Sequence, residues 1–259
     1  MKTAIFIILA AIIGLSVPCV RVEAEEVKLA VASNFINANR ELARLFEKAT
    51  GHATRISYGS TGKLYSQIAH GAPFEIFLAA DRQRPEMAEE EGLAVPGSRF
   101  VYAKGKLVLW SFKSDLFTDA DHYLKHGSFD HLALANPKTA PYGLAAEQVM
   151  QRMGVLESLA PKLVRGESIA QAFQFAATGS AVLGFIALAQ IKEWEGGAGT
   201  LWEIPPDYYA PIDQAAVLLK KGEANPAAIA YLEFLRSDTA RKVIERYGYG
   251  VEQCSETCE

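Results

Sequence analysis

Apolar positions along this chain switch between two periods. Val27, Leu29 and Val31 alternate with their neighbours in the manner of a strand ending near Ser33. Ala38, Leu42, Leu45, Phe46 and Ala49 then recur at helical spacing, and Gly51 supplies the C-terminal stop. The same grammar repeats. It predicts a strand over 52–58, a Gly59-Ser60-Thr61-Gly62 turn and a short helix over 63–70 that ends at Gly71. A strand over 75–80 and a helix over 84–91 before Gly92 follow. Strands are expected over 106–111, 132–135, 181–186 and 214–219. Helices are expected over 145–153 and 168–177, the second with Ile169, Ala172, Phe173 and Ala176 inward. Asn225-Pro226 reads as a cap followed by a first-turn proline, and a last helix runs to about Tyr247. Strands alternating with helices predict an α/β fold.

No linker divides the chain once into halves. Two domains therefore require the chain to cross over and return. Residues 102–105 and 208–211, extended and close to turn signals, are the candidate crossings.

The N-terminus changes the compartment. Lys2 precedes a nearly unbroken apolar run over 4–17. Pro18 follows, and Val22-Glu23-Ala24 has the small −3/−1 residues of a signal-peptidase site. The run is short for a bilayer span and no stop-transfer segment follows, so a cleaved secretory signal over 1–24 is expected, with Glu25 first in the mature chain. An uncleaved anchor is the alternative. Cys19 raises a lipoprotein form, which Pro18 fits poorly. The full chain carries a formal charge of −4, and losing Lys2, Arg21 and Glu23 with the signal makes it −5, which disfavours nucleic acid and anionic membrane partners. The same balance means that any bound anion is held by local groups. Cys254 and Cys258 remain in a Cys-x-x-x-Cys tail, where a local disulfide is plausible and a metal site weak. A monomer is expected.

Catalytic motifs are missing. Gly59-Ser60-Thr61-Gly62 lacks the spacing of a nucleophile elbow, Gly62-Lys63 lacks the upstream glycine of a P-loop, and no Gly-x-Gly-x-x-Gly follows the first strand. His122 and His126 stand one helical turn apart near His131, Asp121 and Asp130. Gly127 and Ser128 interrupt that segment, so it reads as a polar surface connection rather than a metal site. More informative are four polar turns between strands and helices: Ser33-Asn34, Ser60-Thr61, Tyr142-Gly143 and Gly166-Glu167-Ser168-Ile169. In open α/β sheets ligands sit beyond the carboxyl ends of strands, where helix N-termini offer free N–H groups to oxyanions. Any one such turn is ordinarily just a cap. Four of them make convergence on one ligand credible.

At these residues the chain resembles the periplasmic molybdate-binding protein family. The resemblance rests on Val31-Ala32-Ser33-Asn34-Phe35, Tyr58-Gly59-Ser60-Thr61-Gly62-Lys63-Leu64 and the stretch from Gly71-Ala72-Pro73 to Ala80-Asp81. Ala135-Asn136-Pro137, Pro141-Tyr142-Gly143 and Arg246-Tyr247-Gly248-Tyr249 also carry it. It implies a two-lobed periplasmic-binding-protein fold, type II-like, each lobe a sheet flanked by helices with two crossings between them. Lobe I would comprise 25–103 and 210–259, and lobe II 104–209. It implies capture of molybdate or tungstate without a cofactor, catalytic residue or bound metal cation, and delivery to an ABC permease driven by a cytoplasmic ATPase. The family's ligand positions fall on Ser33, Asn34, the Ser60-Thr61 turn, Tyr142 and the backbone of Ile169. Whether Ser60 or Thr61 supplies the second hydroxyl stays open. Many members place a tyrosine where this chain has Ala187 in Phe185-Ile186-Ala187, so the donor set differs. A donor-only shell suits a permanent dianion, because hydrogen bonds to an ionised acceptor are the stronger kind. It also rejects oxyanions whose own O–H needs an acceptor. Two alternatives remain: a binding protein of the same fold for sulfate or an organic anion, and a periplasmic hydrolase using Ser33 or Ser60.

Overall fold

The computed structural model describes residues 24–192, 194–197 and 199–251. The proposed signal segment, apart from Ala24, and both tail cysteines lie outside them. Among the described residues ten strands form two five-stranded sheets. The first contains β1 (Glu26–Ala32), β2 (Ala53–Gly59), β3 (Ile76–Leu78), β4 (Phe100–Gly105) and β10 (Ile212–Leu218), in the order β2-β1-β3-β10-β4. The second contains β5 (Leu107–Ser111), β6 (Leu132–Ala135), β7 (Leu163–Gly166), β8 (Leu183–Ala187) and β9 (Thr200–Glu203), in the order β7-β6-β8-β5-β9. In the first sheet β1 lies parallel to β2 and β3, while β10 runs antiparallel to β3 and β4. In the second β6 lies parallel to β7 and β8, while β5 runs antiparallel to β8 and β9. Each sheet thus has a parallel part, whose strands end toward helix N-termini, and an antiparallel part carrying the crossings.

The helices are α1 (Ile36–Thr50), α2 (Thr61–Ala69), α3 (Gln83–Glu90), α4 (Ala120–His126) and α5 (Pro141–Arg152). Then come α6 (Leu156–Leu159), α7 (Ile169–Ala177), α8 (Leu188–Ile191), α9 (Pro226–Arg236) and α10 (Asp238–Arg246). The two-lobed α/β architecture expected from the sequence is present. α1 buries Ala38, Leu42 and Phe46 against β1, whose Val27, Leu29 and Val31 are fully buried. It stops where Gly51 enters the left-handed region at φ 78° and returns its N–H to Glu47. In the second lobe Leu107, Leu109, Leu134 and Phe185 pack with Val149 and Met150 of α5.

Several elements differ from expectation, each for a local reason. β7 and β9 are four-residue edge strands, too short and too exposed to show a period. The segment holding His122 and His126 is helical up to His126. Asp119 caps it by accepting from the His122 N–H at 3.0 Å, and Gly127 only ends it. Helix α5 begins at Pro141, four residues before its apolar pattern starts, because proline is pre-organised for a first turn. Tyr142 therefore sits inside that turn rather than ahead of the helix.

The chain passes between sheets twice: from β4 to β5 through Lys106, and from β9 to β10 through a 3₁₀ turn at Pro206–Tyr208. Gly105 closes β4 at the first passage. A Cβ there would fall 2.2 Å from the Tyr142 hydroxyl, so only glycine lets the ring from the other lobe approach.

Candidate functional site

Four helix N-termini converge between the sheets. β1 runs into a 3₁₀ turn, Ser33–Phe35, that leads α1. β2 ends at Gly59 and Ser60 opens α2. α5 follows β6, and α7 follows β7. A small cavity of about 10 Å³ lies where they meet. It is lined by Ser33, Asn34, Ser60, Thr61, Tyr142 and Ile169, with Ala32, Gly59, Ala80, Ala140 and Pro141 between them. All six proposed ligand residues thus face one space, although they come from four separate stretches of chain. None is more than 5% exposed, so bulk water is excluded from their polar atoms.

The donors differ in what else they do. Ser33 Oγ and Ser60 Oγ are buried with no hydrogen-bond partner among the described residues. Ser60 stands at the N-cap of α2, yet its hydroxyl makes no capping bond. Leaving a buried polar group unpaired costs about 1–3 kcal/mol, so two beside one cavity point to a bound acceptor. Thr61 Oγ1 accepts from the Ala80 N–H at 3.1 Å, which leaves its own proton to donate. Both hydroxyls of the turn are therefore eligible donors. The Asn34 side chain is engaged elsewhere: its Nδ2 donates to Gln214 Oε1 at 2.8 Å and to the Tyr249 hydroxyl at 3.2 Å. Asn34 is left to offer its backbone N–H, which by helix geometry has no intrahelical acceptor. Ile169 heads α7, and Ser168 caps that helix through the Gln171 N–H at 3.3 Å.

Ala187, standing where many relatives carry tyrosine, is not among the lining residues. Its N–H donates to Gln190 Oε1 at 3.0 Å, and Gln190 Nε2 donates to the Ile169 carbonyl at 3.1 Å. Gln190 thus ties the two turns together behind the cavity. The tyrosine among the lining residues is Tyr142, which comes from α5. Its hydroxyl accepts from Gln214 Nε2 at 3.4 Å. Burial pushes the Tyr142 hydroxyl well above its ordinary range, so it keeps its proton.

No carboxylate, imidazole, ammonium or guanidinium is found among the lining residues. The nearby cations are occupied outside it. Lys63 pairs across the cleft with Glu167, and Arg84 pairs with Asp81. Positive potential in the cavity comes instead from the four helix N-termini. The arrangement can hold an anion through neutral donors, and it offers no general acid or base to a serine. Further contacts hold the lobes together around it: Gly62 N–H to Thr139 O at 2.8 Å and Arg84 Nη2 to Lys138 O at 3.4 Å. His122 and His126 lie elsewhere, their rings 4.9 Å apart beside a separate groove. Among the described residues no group of three or more His, Cys, Asp or Glu could hold a metal ion. Sequence reasoning missed the polar network behind the site, formed by Tyr102, Gln214 and Tyr249. Tyr249 lay in a matched stretch, but nothing in its neighbours signalled a contact with Asn34, 215 positions away.

The model of the bacterial extracellular solute-binding protein family matches residues 27–250. The chain is 53% identical over 231 residues to the molybdate-binding protein ModA of Azotobacter vinelandii, covering 89% of this chain and 92% of that one. It is 50% identical over 244 residues to the protein of the same name from Rhodobacter capsulatus, covering 94% of each. Among solved structures, the Azotobacter vinelandii periplasmic molybdate-binding protein superposes with a TM-score of 0.84 at 41% identity, over 88% of this chain and all of that one. The Mycobacterium tuberculosis sulfate-binding protein SubI shares the fold at 13% identity, with a TM-score of 0.72 over 87% of this chain and 86% of that one.

Proposed function

Because this chain belongs to the bacterial extracellular solute-binding protein family, and within it to the molybdate-binding proteins, we propose that it captures molybdate between its lobes and hands it to an ABC import permease. The observation that carries this reading is the pair of unpartnered hydroxyls, Ser33 Oγ and Ser60 Oγ, beside a cavity lined without charge. A tetrahedral dianion supplies acceptors in several directions at once. Ser33, Ser60, Thr61 and Tyr142 would donate hydroxyl protons, and Asn34 and Ile169 backbone N–H groups. Tungstate, of like charge and shape, would bind the same way.

Capture follows from the geometry. Ser33, Asn34, Ser60 and Thr61 belong to the lobe of the first sheet, and Tyr142 and Ile169 to the lobe of the second. An anion that accepts from both sets stabilises the closed arrangement, with bending at the two passages. Each charge-assisted bond contributes roughly 1.5–3 kcal/mol in a site screened from water. The protein acts in the periplasm as a monomeric carrier after its N-terminal signal is removed. It needs no cofactor and performs no reaction.

The test is a thermal-shift panel on the mature protein with molybdate, tungstate, sulfate and phosphate. A ligand that binds only the folded state raises the melting point by mass action. Molybdate and tungstate are expected to stabilise strongly, with sulfate at least about tenfold weaker in affinity, or about 1.4 kcal/mol. Equal stabilisation by sulfate would overturn the molybdate assignment. No response to any oxyanion would overturn the site.

A further inference from the structure

Behind the cavity runs a chain of buried hydrogen bonds whose direction is fixed from one end. Tyr249 donates its hydroxyl proton to the backbone carbonyl of Asn34 at 2.7 Å. A backbone carbonyl only accepts, so the Tyr249 oxygen is left as an acceptor toward the Asn34 side chain. Asn34 must then present its NH₂ group there, at 3.2 Å. The same Nδ2 reaches the Gln214 amide at 2.8 Å, which obliges Gln214 to present its oxygen on that side. The Tyr102 hydroxyl shares its one proton between the same Oε1, 3.1 Å away, and the Ala79 carbonyl at 3.3 Å, so the orientation of Gln214 rests on the Asn34 amide. With its oxygen committed, Gln214 turns its NH₂ toward Tyr142, 3.4 Å away. Tyr142 accepts, and among the described residues its own proton meets no protein acceptor; the residue is 1% exposed and is one of those lining the cavity.

We propose that Gln214 and Tyr249 are positioning residues that orient the Tyr142 hydroxyl as a donor into the cavity, through a one-way relay anchored on the Asn34 carbonyl. The proposal rests on the reading of Tyr142 as an anion donor. An amide seen only by a ligand is free to flip, and a flipped Gln214 would take the Tyr142 proton for itself. The relay removes that option before the anion arrives. It also links the lobes, because Gln214 lies on β10 of the first sheet and Tyr142 on α5 of the other lobe. Tyr102 and Tyr249 are absent from the cavity lining, so any effect of theirs on the anion would pass through Gln214 and Asn34.

The test is a double-mutant cycle read by calorimetric titration with molybdate. Tyr142→Phe is expected to weaken binding about ten- to a hundredfold, the value of one hydrogen bond to a charged group. Tyr249→Phe and Gln214→Met are each expected to weaken binding at least about threefold in the wild-type background, and less than about twofold when Tyr142 is already Phe. Tyr249→Phe keeps the ring in place, so it carries the test if Gln214→Met fails to fold. Equal losses in both backgrounds would show a general packing effect and overturn the relay while leaving Tyr142 as a donor. No loss in Tyr142→Phe itself would overturn the donor reading and the relay with it.

Discussion

Replacing Ser33 by Ala separates affinity from stability in a way few binding-site changes do. Ser33 is 5% exposed, and its hydroxyl has no partner among the described residues. Deleting it removes no protein hydrogen bond and leaves the β1 backbone untouched. The unliganded protein should melt at the wild-type temperature or slightly above, since an unpaired buried polar group costs roughly 1–3 kcal/mol. Molybdate affinity should fall about ten- to a hundredfold, because one charge-assisted bond is lost. At a ligand concentration about 1,000 times the wild-type Kd, binding stabilises by about 4.1 kcal/mol, against about 2.7 or 1.4 kcal/mol for the variant. With about 2–4 °C per kcal/mol for a chain of this size, the ligand-induced rise should shrink by roughly 3–11 °C. Scanning calorimetry with and without molybdate reads both quantities. A variant that melts lower without ligand and shows a normal ligand-induced rise would refute the reasoning. Its hydroxyl would then be serving the fold and not the anion.

Other outcomes follow from single contacts. Gly105→Ala places a Cβ 2.2 Å from the Tyr142 oxygen and 3.0 Å from an Ile212 methyl, so it should cost about 1–3 kcal/mol of stability, with Tyr142→Phe restoring part of it in thermal melts. Lys63→Ala should change molybdate affinity less than about fivefold, since the Lys63–Glu167 pair is exposed and such pairs contribute about 0–1 kcal/mol; a hundredfold loss in titration would mean that a cation holds the ligand. Burial raises the hydroxyls of Tyr102, Tyr142, Tyr231 and Tyr249 above their ordinary value. In the unfolded chain they ionise near pH 10, so above that pH the folded state binds more protons and stability falls, while below it these groups contribute no slope. Urea midpoints measured from pH 8 to 11.5 should be flat and then drop; a midpoint that rises through pH 10 would contradict this.

Much of the fold was readable because the chain alternates its periods cleanly. β1 and α1 follow one another with opposite apolar spacing, and Gly51 marks the boundary in sequence as it does in space. Short edge strands such as β7 and β9 were not readable, because four residues with one exposed face carry no period. The turns of the site were visible as polar residues after strands, and the resemblance supplied which of them to join. What each does at its turn was not visible. Ser60 reads as an ordinary cap, yet its hydroxyl caps nothing. Asn34 reads as a ligand position without saying which of its atoms serves, and its side-chain amide belongs to the network with Gln214 and Tyr249. Such assignments depend on residues about 180 and 215 positions apart and on bond directions, neither of which a local pattern encodes.

The most direct test is a crystal structure of the mature protein with molybdate. One oxyanion is expected in the cavity, within hydrogen-bonding distance of Ser33 Oγ, the Ser60 and Thr61 hydroxyls, the Tyr142 hydroxyl and the N–H groups of Asn34 and Ile169, with no side-chain cation in contact. An anion held by Lys63 or Arg84, or bound away from these turns, would contradict this expectation.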